Sequence, residues 1–99
     1  MSELTTKEIN LDLSNNIARI ARFLEEENNK RVEQFIAISQ EALDEINNRK
    51  LNYSIAKAVH NFEMTLNEFR SNNDNGKQKN LSEDFYTHSN IIRARAVFA

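Results

Sequence analysis

The sequence predicts an all-α fold, a small antiparallel bundle of three or four helices, on three observations: it has no proline, its only glycine is Gly76, and its Ile, Leu and Phe residues recur at helical spacing. Hairpins and tight sheet turns call on residues that supply positive φ or a fixed kink, and this chain holds almost none. At 99 residues with 39% hydrophobic content, the expectation is one helical domain over residues 1–99 with a modest core. So lean a core invites completion by a second copy or a partner chain.

The first element is read from a capping box: Thr5 as N-cap, Glu8 three residues on, and Leu4 stapled to Ile9. Ile9, Leu13, Ile17, Ile20 and Leu24 then step by four and three along one helix face. The rival for its opening turns is a short strand, because Ile9-Asn10-Leu11-Asp12-Leu13 also alternates with period two.

The second element carries Val32, Phe35, Ile36, Ser39, Leu43 and Ile46 on one face, widened by Ile38 and Ala42 into a face broad enough for two neighbours. Whether segments 6–27 and 30–48 are one helix or two is left open by the pattern. Asn28-Asn29 suits a C-terminal cap, whereas Glu26 with Lys30 and Glu27 with Arg31 are acidic-first i,i+4 pairs that help only an unbroken helix. A fused helix would be a rod on the order of 65 Å long, which would have to dimerise. Asn47-Asn48 is the next boundary, followed by Arg49 and Lys50, cations that suit a helix C-terminus.

The third helix has the cleanest period, Ile55, Val59, Phe62, Leu66 and Phe69 stepping 4, 3, 4, 3. Residues 71–80 hold no apolar side chain and contain the only Asn-Gly, so a solvated loop is expected there. A last helix over 82–98 is read with Ser82 as N-cap, Glu83 and Asp84 in its first turn, Leu81 stapled to Tyr86, and Phe85, Ile91, Ile92, Val97 and Phe98 as its apolar set. The fifteen asparagines show no regular spacing and are read as compositional bias.

Composition also narrows function. Without cysteine there is neither a disulfide framework nor a thiolate metal site. No leader-like segment opens the chain and no run approaches the ~20 apolar residues of a membrane span, so a cytoplasmic protein with no membrane role is expected. Net charge is −2, with seven Lys/Arg against ten Asp/Glu in residues 1–50 and four against two in 76–99. That is no broad phosphate-binding footprint.

Neither a cofactor nor a metal is expected. The Glu-x-x-His motif of metal-binding bundles is missing: His60 stands before Glu63, and Asp84 with His88 lacks further ligands. No Gly-rich elbow or phosphate loop exists to activate a serine, so the chain is expected not to be an enzyme. The expected function is that of a helical protein–protein interaction subunit, adaptor or inhibitor, itself oligomeric. Phe62, Leu66, Phe69, Ile92 and Phe98 are its candidate contact residues.

The alternative is a small DNA-binding regulator. Residues 54–70 open with Ser54-Ile55-Ala56-Lys57-Ala58-Val59, whose Ile-Ala-x-Ala core resembles the first helix of a helix-turn-helix, and Lys57, Arg70, Arg93 and Arg95 would supply its phosphate contacts. Against it, the turn at Asn61-Phe62-Glu63 has no glycine, and the recognition segment Met64 to Arg70 has one cation. Arg93 and Arg95 equally suit the C-terminal end of their own helix.

Overall fold

Thr5 nucleates the first helix as its sequence directs: Thr5 Oγ1 accepts from the Glu8 amide at 3.1 Å while Glu8 Oε1 accepts from the Thr5 amide at 2.9 Å. The computed structural model describes the backbone of residues 5–71 and 78–97, and the side chains of residues 5–71 and 81–97. It contains four α-helices, α1 (Thr6–Glu25), α2 (Asn29–Asn47), α3 (Tyr53–Ser71) and α4 (Gln78–Ala96), and no strand among the described residues. The alternating stretch 9–13 is therefore helical. Its apolar stripe buries Ile9, Leu13, Ile17, Ile20 and Leu24, and Asn10 is buried with its amide donating to the Thr6 carbonyl at 2.8 Å. The Leu4 staple lies outside the described residues.

The helices α1 and α2 are separate, so no rod forms. After Glu26, Glu27 takes a left-handed φ of 58°. The Asn28 amide reaches back to the Phe23 carbonyl at 2.9 Å, and that of Glu27 to Leu24 at 3.1 Å. These two bonds are a Schellman ending with glutamate where glycine is usual. Asn28 then caps α2, its side chain accepting from the Arg31 amide at 3.3 Å. The proposed Glu26–Lys30 and Glu27–Arg31 pairs are absent among the described ion pairs, because the reversal carries those side chains apart; Glu26 pairs with Arg22 at 3.1 Å instead.

Each helix runs antiparallel to the one before it, and α4 returns beside α1. The helix α2 ends at the Asn47-Asn48 boundary, and Arg49 ties its end to Glu45 at 3.0 Å and to Thr6 Oγ1 at 3.4 Å. Asn52, which sequence reading passed over, caps α3 by accepting from the Ile55 amide at 2.9 Å. Across α2 and α3, Asn47 donates to Glu63 and Arg70 to Gln40, each at 3.2 Å and seven residues apart on both helices.

The start of α4 corrects the sequence reading. The helix is under way by Gln78, so Ser82 is an interior residue, and Glu83 and Asp84 lie beyond the first turn. Of the expected loop, Ser71 closes α3 and residues 78–80 belong to α4; those between lie outside the described set. Ser82 is fully buried against α1, its Oγ 2.9 Å from the Ala21 carbonyl and 3.0 Å from Glu25 Oε1. One heptad on, Ser89 Oγ donates to the Ser14 carbonyl at 2.6 Å. Small side chains at 82, 89 and 96 let α4 pack along α1 more closely than any other helix pair.

The remaining core is built where the four stripes meet, with Leu43 and Ile46 from α2, Ile55, Phe62 and Leu66 from α3, and Phe85 and Ile92 from α4. Phe85 makes T-shaped contacts with Phe62 and Phe69 at centroid distances of 5.9 and 6.1 Å. Two buried polar atoms among the described residues have no partner, Asn10 Oδ1 and Ser39 Oγ.

Candidate interaction surface

A core stripe and an interface stripe have the same periodicity, and the structure separates them. Phe62, Leu66 and Ile92, expected as contact residues, are fully buried between α3, α4 and α1, and Phe69 is half-buried against Phe85. Phe62, Leu66 and Ile92 are therefore core side chains in the folded chain, while Phe69 keeps part of its surface open. Phe98 lies outside the described residues, and Val97 before it is 53% exposed.

The nucleic-acid candidates are dispersed. Residues 54–70 lie within the single helix α3, so the turn required of a helix-turn-helix at 61–63 is not formed. Lys57 is exposed near the start of α3, and Arg70 is at its far end, bonded to Gln40. Arg93 donates to Asn15 on α1 at 3.0 Å, and Arg95 to the Ser54 carbonyl on α3 at 2.9 Å. The two arginines in the last turn of α4 thus clasp neighbouring helices on either side.

His60 is exposed, and His88 is half-buried in the crevice between α3 and α4. Thr65 Oγ1 lies 3.2 Å from the Asn61 carbonyl and 2.8 Å from His88 Nε2, and the ring tautomer sets whether the hydroxyl or the ring nitrogen donates in the second contact. Phe62 stands edge-on to the same ring at 6.2 Å. Burial among these groups holds the His88 pKa below its ordinary value, with the Asp84 carboxylate one turn away opposing the shift. Among the described residues no three His, Asp or Glu side chains gather as metal ligands, and no helix is long and apolar enough to cross a membrane.

Four large apolar side chains are conspicuously exposed, and their surroundings differ. Tyr53 (79%) and Val97 (53%) lie at the end of the bundle where α3 begins and α4 finishes. Met64 (51%) is isolated on an outer face of α3 among Lys57, Asn61, Asn67 and Glu68. Ile38 (44%), expected to widen the buried face of α2, instead points outward because α1 covers only the Phe35 side of that face.

Ile38 continues into further apolar surface. One turn back, half-buried Phe35 stacks on Phe23 of α1 at 5.6 Å and 21°. The Arg19 guanidinium lies over the same Phe35 ring, 5.5 Å from its centroid. Half-buried Ala42 extends the strip one turn forward, and exposed Ala37 adjoins it. Phe23 was missed in sequence because it falls outside the α1 stripe; its signal is an aromatic four residues after an arginine on an otherwise polar helix face.

Charge along the exposed side of α2 is uneven: cations lead and, apart from exposed Glu33, acids follow. Lys30 and Arg31 stand in its first turn and Asp44 and Glu45 in its last, with Glu41 one turn before them; Ala37 and Ile38 are midway. The Arg31 guanidinium is bonded only to the neutral Gln34 at 3.2 Å among the described residues. Glu45 pairs with Arg49, while Glu41 and Asp44 have no ion pair among the described residues. Comparison of the chain with protein-family models, with curated proteins and with solved structures found no match.

Proposed function

We propose that this chain is a non-enzymatic protein-interaction module, an adaptor or regulatory subunit, whose contact face is the outer side of α2 and its flank against α1. The observation that carries this reading is the continuity of exposed Ile38 with the half-exposed Phe23–Phe35 stack under Arg19. Aromatic side chains with arginine are what the centres of protein interfaces favour, and exposed apolar surface rimmed by charge is their usual setting. Four interlocked helices with a filled core present a rigid face, which binding requires if ordering costs are to stay small. The lack of cysteine suits a reducing compartment, and the cytoplasm is the proposed setting.

The test is nuclease-treated affinity isolation of the tagged protein from its native cells, run in parallel with Ile38→Glu and with Met64→Glu as a control on the outer side of α3. The reading expects a near-stoichiometric protein retained by the wild type and the Met64 variant and lost with Ile38→Glu. Equal retention by the wild type and both variants, each shown to be helical by circular dichroism, overturns the choice of face.

A further inference from the structure

We propose that the outer face of α2 is filled by α2 of a second copy, running antiparallel across a two-fold axis that passes near Ala37 and Ile38. The inference rests on the reading of this face as a contact surface and names its occupant.

Two observations point to a second copy, and the first is the polarity of α2. A helix favours acids at its positive N-terminal end and bases at its negative C-terminal end. Of the other helices, α1 complies at both ends, with Glu8 in its first turn and Arg22 in its last, while α3 and α4 have no acid in the first turn and comply at their C-terminal ends, closed by Arg70 and by Arg93 and Arg95. In α2 neither end complies within the helix: two cations and no acid stand in the first turn, and two acids and no base in the last, with Arg49 just past the cap paired to Glu45. Lys30 and Arg31 therefore crowd the positive end and Asp44 and Glu45 the negative end. An antiparallel helix alongside reverses both penalties, since it brings its own acids and C-terminal end to these cations, and the converse at the other end.

The second observation is that the face is complementary to itself in register. A two-fold axis places residue i against j and j against i. An axis near Ala37 and Ile38 sets Lys30 and Arg31 against the acids at 44 and 45 of the second copy, and Gln34 near the carboxylate at 41. The exposed apolar pair sits at the centre, and the alanine permits close approach of the two helices. The charge pattern and the exposed apolar surface thus share one midpoint. A strip the length of α2, with its Phe23–Phe35 flank, covers on the order of 600 Å² per copy, or roughly 1,200 Å² in total, at the lower end of specific interfaces. Dimerisation at this size is concentration-dependent and weakened by salt.

Two charge-reversed variants of the full chain test the register. Lys30→Glu with Arg31→Glu reverses the first cluster, and Asp44→Lys with Glu45→Lys reverses the second. Both changes place charges as the helix dipole prefers, so each variant keeps its fold as a monomer, which circular dichroism checks. In sedimentation velocity at low salt, over roughly micromolar to sub-millimolar protein, the wild type is expected to shift from monomer to dimer. Each variant alone should associate at least tenfold more weakly, and an equimolar mixture of the two should recover the dimer, because in the mixed pair both ends are again opposite in sign.

A wild type that stays monomeric throughout, or a mixture that does not recover association, overturns the proposal. So does a dimer that persists in either variant alone, which would place the contact on another face. If the wild type is monomeric while Ile38→Glu still loses a captured protein, the contact face stands and self-pairing is what fails.

Discussion

Ser89 of α4 donates its hydroxyl to the main-chain carbonyl of Ser14 on α1 at 2.6 Å, inside a fully buried seam. Because Ser82 meets the Ala21 carbonyl one heptad earlier at 2.9 Å, the two contacts fix both the spacing and the axial register of the α1–α4 pair. Ser89→Ala keeps the close approach and loses one hydrogen bond, at an expected cost of about 1 kcal/mol. Ser89→Leu forces the helices apart and should cost up to about 3 kcal/mol. Urea denaturation of both variants measures the difference, and equal costs would show that the seam has room to spare.

Glu27 is held at φ 58° to close α1 and open the reversal into α2. A side chain with a Cβ is strained there and glycine is not, so Glu27→Gly is expected to stabilise the fold by about 1 kcal/mol. In a domain of this size that raises the melting temperature by roughly 4–8 °C. A lower melting temperature would mean that the added freedom of the unfolded glycine outweighs the strain relieved.

Ser39 is fully buried with no partner for its hydroxyl. Ser39→Ala removes an unsatisfied polar atom and improves helix propensity, with an expected gain of about 1 kcal/mol. Destabilisation on the same measurement would show that the hydroxyl is satisfied in solution, as by an internal water.

His88 titrates against the fold, since burial holds its pKa below the ordinary 6.5. In the window below 6.5 and above the lowered folded value, the unfolded chain binds the extra proton and the folded chain does not. Stability from this group is therefore full above pH 6.5 and falls as pH drops through that window. Glu8, lowered from 4.5 by its bonds to Thr5, adds a separate loss at more acid pH, below its own ordinary value. Melting temperature followed from pH 7.5 to about 3 should decline, and His88→Gln should flatten the decline above about pH 5 while leaving the loss below about pH 4.5 in place.

Much of the fold was legible because periodicity reports burial directly. The Ile9 to Leu24 and Ile55 to Leu66 stripes, the Thr5 capping box and the Asn47-Asn48 boundary stand where the pattern put them. Capping chemistry was ambiguous where one residue type serves two purposes. Ser82 precedes two acids as an N-cap does, but a serine is also the small residue that a close helix contact needs, and the structure uses it for the latter. The α1–α2 break was obscured because glutamate, not glycine, takes the left-handed position. The contact residues were the least legible: Phe62 and Leu66 share their spacing with any interface seam, and Ile38 was grouped with the buried face of α2 although the covering helix lies to one side of it.

The seam between α1 and α4 joins residues 61 and 75 positions apart. During synthesis α1 must therefore wait, its Ser14 and Ala21 groove uncovered, until the ribosome has released α4. A nascent chain halted after α3 would display the groove as an open seat for any helix with small residues at heptad spacing. Long-range closure of this kind slows folding relative to bundles held by local contacts, and it makes α4 the strand of the plait whose arrival locks the other three.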